Sequence, residues 1–143
     1  MELGEDTKAV LLVAGLIFLW ALLIGVWKYR QMSASPEGRA HPYVDVAHRA
    51  ALLYSFATLL IAVFVELGDF SELVSLLAAG ALIFYFVAAI ATYCINGRRA
   101  VTDNVFREGD SPHGMHPFMW SLIAAEIGGF TVLLAGFVCG QIL

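Results

Sequence analysis

The chain has 143 residues, 60% of them apolar and only 14% charged, with a mean hydropathy of +0.80 and a net charge of −4. A soluble domain carries about 45–50% apolar and about 25% charged residues, and so short a chain cannot hide the excess in one core. An ordinary soluble domain is therefore excluded, and so is a nucleic-acid binder, because the eight Lys and Arg form no long basic stripe.

The first apolar run, Ala9 to Trp27, lies between Lys8 and Lys28 with no charge inside it. Roughly 20 residues rising about 1.5 Å each cross a hydrocarbon core of about 30 Å, so a transmembrane helix is predicted over residues 9–27. A signal peptide is the competing reading. It is disfavoured because Glu2 to Lys8 is acidic and Lys28-Tyr29-Arg30 stands where a small-residue cleavage site belongs. The second run predicts a helix over residues 46–67, with Arg49 snorkelling toward the interface. The third predicts a helix over 73–96. The fourth opens on Pro117, a residue suited to a first helical turn, and spans 117–141 with a single charge, Glu126.

Charge placement sets the orientation. Lys28, Arg30, Arg39 and Arg49 lie between runs one and two, and Arg98, Arg99 and Arg107 between three and four, which is seven of the eight positive residues. The intervening loop has Glu66, Asp69 and Glu72 and no positive residue. The positive-inside rule then places both basic loops in the cytoplasm and both termini outside. Trp20, Trp27 and Trp120 sit as interfacial anchors. The fold expected is all-α: one polytopic membrane domain over 1–143, a four-helix antiparallel bundle, in the bacterial plasma (inner) membrane. Cys94 and Cys139 fall near opposite faces, too far apart for the roughly 4.4–6.8 Å Cα separation of a disulfide. Gly136-x-x-x-Gly140 on helix four suits close helix approach, in a homo-oligomer or within the bundle.

Three groups of residues have chemical promise. His41 and His48 are seven apart, and His113 and His116 stand just before helix four, so all four approach the cytoplasmic mouth. Imidazoles there suit a metal or haem iron, or simply an interfacial loop. His48 lies furthest into the apolar part of helix two; His116 is a weaker candidate. Glu126 comes nine residues after Pro117, about 13–14 Å into the membrane. A carboxylate at that depth costs at least a few kcal/mol unless protonated or paired, so it is either a functional acid or hydrogen-bonding glue. Tyr54, Tyr85 and Tyr93, with Ser55, Thr58, Thr92 and Asn96, are candidates to line a polar-tipped cavity. The loop Arg98 to Pro112 reads as solvated, with a headgroup site or a cap as the sharper option. There is no phosphate loop, His-Glu-x-x-His, nucleophile elbow or metal-spaced Cys pair.

Ser35-Pro36-Glu37-Gly38-Arg39-Ala40-His41, then Ala47-His48 opening helix two and Tyr93-Cys94-Ile95-Asn96 closing helix three, resemble the styrene oxide isomerase and hydroxylaminobenzene mutase group. The resemblance implies a trimer with haem b, in which His48 ligates iron and the iron acts as a Lewis acid on an epoxide oxygen. Tyr93 would match a helix-three Tyr. Two positions depart from that pattern: Tyr54 replaces an Asn six residues after the histidine, and Tyr85 stands where an Asp is expected. A lesser likeness is to the membrane-associated eicosanoid and glutathione metabolism proteins, whose Arg-Ala-x-x-Asn-x-x-Glu pattern stops here at Arg49-Ala50, with Leu53 and Phe56 in the later places.

The function expected is a membrane-embedded haem protein acting as an isomerase on a small apolar substrate, with haem b on His48 and Tyr93, Tyr54 and Glu126 as catalytic groups. It would sit in the lipid bilayer as a homo-oligomer, a trimer by the resemblance. The alternatives are a non-enzymatic accessory subunit of a larger membrane complex, packing through helix four, and a small oligomeric proton or ion conductor using Glu126.

Overall fold

The computed structural model describes residues 2–107 and 115–143. Four helices account for most of them: α1 (Glu5–Ala34), α2 (Pro42–Leu67), α3 (Glu72–Arg99) and α4 (Met115–Gln141), with no strand among the described residues. Each is long and apolar enough to cross a membrane. Leu53 and Trp120 are each 70% exposed, and large apolar side chains are exposed along every helix, an arrangement suited to lipid and not to water.

α1 extends beyond the apolar run at both ends because hydropathy marks only the hydrocarbon slab. Glu5 and Asp6 open the helix, where acidic groups suit the positive end of its dipole. At the other end Lys28 to Ala34 continue as helix with polar side chains. The Ser35 N–H donates to the Gln31 carbonyl, and Pro36 follows. α2 starts on Pro42, with His41 as its N-cap.

The buried line of α1 is Thr7, Val10, Ala14, Ile17, Ala21 and Ile24, alternating steps of three and four. That is the spacing of a left-handed helix crossing. It meets a similar line on α2 that includes Ala47, Ala51, Ser55, Thr58 and Ala62. Small residues dominate, and in lipid it is their close approach, not burial from water, that holds helices together. Two buried hydroxyls of α2 return to their own helix: Ser55 Oγ donates to the Leu52 carbonyl at 2.6 Å and Thr58 Oγ1 to that of Tyr54 at 2.7 Å. Two apolar clusters result. Val10, Ile61, Val65, Leu82, Phe86 and Leu133 form one, while Ile17, Ala21, Ile24, Ala47, Ala51 and Ile90 form the other.

Polar contacts tie the ends. The Gly4 N–H donates to Glu66 at 3.2 Å, while Lys28 reaches Asp45 at 2.6 Å. Arg49 turns back to the same Asp45 at 2.8 Å, toward the end that carries the α1–α2 and α3–α4 connections. α4 packs on α3 and α2 and makes no contact with α1 among the described residues. Gly136 and Gly140 pack against the rest of the chain: a side chain on Gly136 would meet the Phe70 ring at 3.0 Å, and one on Gly140 would meet Asp69 at 2.9 Å. The Gly136-x-x-x-Gly140 pair thus seats the α2–α3 connection within the chain, and the Asp69 N–H donates to the Gly136 carbonyl at 3.1 Å.

Candidate functional site

His48 and the tyrosines occupy different faces of α2. His48 turns toward α1, where its Nδ1 lies 3.0 Å from the Ala21 carbonyl oxygen. A carbonyl only accepts, so Nδ1 carries the proton and, in the neutral ring, Nε2 keeps its lone pair. Gly25 makes room for the ring: a Cβ there would stand 2.8 Å from His48 Cε1. The imidazole is therefore oriented by one bond and by the flat glycine surface beneath it. An Nδ1–H donated to a backbone carbonyl is also the arrangement that orients histidine ligands of metals.

The second feature is a cavity of about 410 Å³ between α2, α3 and the start of α4. Tyr54, Tyr93, Thr92 and Asn96 line it with Phe118 and Met119. Two ring pairs stiffen its walls. Tyr54 stacks on Phe86 with centroids 4.3 Å apart, and Tyr43 stacks on Tyr93 at 6.1 Å. Of the loop expected to lie solvated, most described residues are exposed, but Val105 turns inward against the cavity; residues 108–112 lie outside the described residues. Val105 is buried, its N–H donates to the Tyr43 hydroxyl at 2.8 Å, and Phe106 joins the lining.

Glu126 lies one helical turn beyond Leu122 on the stripe of α4 that includes Met119 and Leu122, both of which line the cavity. Glu126 itself is not among the residues that line the cavity. It is within electrostatic reach of both Tyr54 and Tyr93. Its Oε1 is buried and has no hydrogen-bond partner among the described residues.

The remaining candidates separate from these two sites. His41 caps α2: its Nδ1 accepts from the Tyr43 N–H at 3.2 Å, which occupies the lone pair a metal would use. His116 is exposed in the first turn of α4, and His113 lies outside the described residues. Tyr85 contacts Phe84 and Phe118 instead of lining the cavity, and Ser55 and Thr58 are buried away from it. Cys94 and Cys139 are both free. Among the described residues no group of three or more His, Cys, Asp or Glu gathers as a metal site, a requirement that a single axial histidine does not share. Tyr43 was not among the expected site residues. Its eleven-residue spacing from Tyr54, three turns on one face, is the signal that points to it.

With this geometry the described residues fall in the class of all-helical proteins with four helices long and apolar enough to cross a membrane. No protein-family profile, curated protein or solved structure matches it.

Proposed function

We propose that this chain is an integral membrane haem protein that isomerises a small apolar substrate, with His48 as the axial ligand. It forms an antiparallel four-helix bundle with both termini on the non-cytoplasmic face, and it assembles as a homo-oligomer, a trimer by resemblance to the styrene oxide isomerase group. The observation that carries the reading is the His48 ring: Nδ1–H fixed on the Ala21 carbonyl and the ring laid against Gly25, which leaves Nε2 as a free donor nitrogen. When bound, haem iron would supply a Lewis acid for a substrate oxygen. The work of the chain is to hold the imidazole in one tautomer and one orientation. Tyr54 and Tyr93 line a separate cavity on another side of α2, and Glu126 lies on α4 outside that lining, so the haem reading rests on His48 alone.

The test is a visible absorption spectrum of the detergent-purified protein before and after dithionite, repeated on His48→Ala. A Soret band that shifts on reduction and disappears in the variant is expected. A wild type that stays colourless when expressed with added haem overturns the proposal.

One observation favours a second reading, an accessory subunit of a larger membrane complex. Only Leu133 and Gly136 of α4 are buried, and Gly128 has nothing within 4 Å of the position a side chain would take. That flank admits a partner helix. Stable co-purification with other membrane chains, from a colourless preparation, distinguishes this reading from the first.

A further inference from the structure

A groove of about 590 Å³ runs between α1 and α3, at the end that carries the α1–α2 and α3–α4 connections. His48 does not line it, and it shares no residue with the aromatic cavity. Trp20, Ile24 and Trp27 on α1 face Cys94 and Ile95 on α3 across it. Ile24 is buried, while Leu23 and Ile95 stay exposed at its sides, so the groove opens outward toward lipid. Trp20 and Trp27 are two turns apart, about 10 Å along the helix. That is about two thirds of one leaflet of a hydrocarbon core about 30 Å thick, a length suited to the upper part of an acyl chain. Arg98 completes the lining, one turn beyond Cys94 toward the polar end of α3. Lys28, Arg49 and Arg107 each have an Asp partner. Arg98 has no ion pair among the described residues, and no acidic side chain among them lines the groove.

We infer that this groove binds one anionic phospholipid, its acyl chain laid along Trp20, Ile24 and Trp27 and its phosphate on Arg98. Charge selects the occupant. The apolar walls serve any lipid tail equally, but a guanidinium without a carboxylate presents a fork of donors matched to phosphate. A zwitterionic headgroup carries its own ammonium, which offsets the attraction of its phosphate for Arg98. An anionic headgroup keeps that attraction whole. Trp27, next to Lys28 at the edge of the apolar run, suits the headgroup boundary where the two parts of the lipid meet. The site rests on the chain's place in a bilayer and does not require haem.

The experiment is tryptophan quenching by lipids with brominated acyl chains, on the full-length protein reconstituted into phosphatidylcholine vesicles. A variant that retains Trp20 alone (Trp27→Phe, Trp120→Phe) reports the groove. One that retains Trp120 alone (Trp20→Phe, Trp27→Phe) reports general lipid contact, because Trp120 is 70% exposed and outside the groove. Brominated phosphatidylglycerol should occupy the site at Trp20 with about fivefold preference over brominated phosphatidylcholine, the worth of one cation facing an anionic headgroup, and with a smaller preference at Trp120. Arg98→Gln should abolish the preference at Trp20. Arg99→Gln removes the same charge from the same end but does not line the groove, so it should keep the preference, with helical circular dichroism showing that each variant folds. Equal quenching of Trp20 by the two lipids, a preference as large at Trp120, or one that survives Arg98→Gln would each overturn the inference. So would a preference that falls equally in Arg99→Gln, or a Trp20 shielded from both lipids, as it would be beneath a second copy of the chain.

Discussion

Replacing Gly25 with alanine perturbs the His48 ring through a helix it does not belong to. The new methyl would stand 2.8 Å from His48 Cε1 and 3.2 Å from Nδ1, whereas carbon contacts are comfortable at about 3.5–4.0 Å. The ring must retreat by about 0.7 Å or more, and the 3.0 Å bond to the Ala21 carbonyl goes with it. Losing that bond costs about 0.5–1.5 kcal/mol. Overpacking adds about 1–3 kcal/mol, and the helix gain of Gly→Ala returns about 0.5–1 kcal/mol. A net destabilisation of about 0.5–4 kcal/mol is expected by this balance. Gly15 is the internal control. It lies on the same helix with nothing within 4 Å of a would-be side chain, so Gly15→Ala should stabilise by about 0.5–1 kcal/mol. Unfolding by sodium dodecyl sulfate in mixed micelles, followed by far-ultraviolet circular dichroism, measures both. If Gly25→Ala proves as stable as Gly15→Ala, the packing of His48 on α1 is refuted. In the His48→Ala background the penalty of Gly25→Ala should vanish, because the two changes share one contact.

Other expectations follow from single contacts. Ala100 ends α3 with φ 51°, a left-handed conformation that costs a residue with a Cβ about 1–2 kcal/mol, so Ala100→Gly should raise stability by about 1 kcal/mol in the same unfolding assay. Gly136→Leu should weaken α4 docking by about 1–3 kcal/mol through Phe70, whereas Gly128→Leu should be neutral; equal effects would contradict the inward face assigned to α4. Asp45→Asn removes the shared partner of Lys28 and Arg49, both partly exposed, and should cost no more than about 1 kcal/mol, less at high salt. Cysteines at Lys28 and Arg99 should react with an impermeant maleimide only from the cytoplasm, and one at Phe70 only from outside; the reverse pattern would invert the proposed topology.

The spans were legible because each is an apolar run of bilayer length, and charge placement separated their ends. Helix limits were not. Glu5 to Lys8 and Lys28 to Ala34 continue α1 outside the apolar run, where hydropathy carries no helical signal. Facing was harder still, because helices apolar all round have no polar stripe to mark the inside. Spacing held more than was drawn from it: six residues place Tyr54 about 120° from His48 around α2, so the two face different neighbours. By contrast, the bond from His48 to Ala21 and the return of Val105 to Tyr43 join residues distant in sequence. No local pattern announces them.

The lack of contact between α1 and α4 bears on how the protein is made. α1 and α2 can complete their mutual interface, including the His48 seat, once Leu67 has entered the membrane. α4 has its docking surface only after α3 and the 68–71 connection are in place. Biogenesis should therefore proceed as a hairpin followed by two additions, and a nascent chain halted after Arg99 should already hold His48 against Ala21 while lacking the α4 wall of the aromatic cavity.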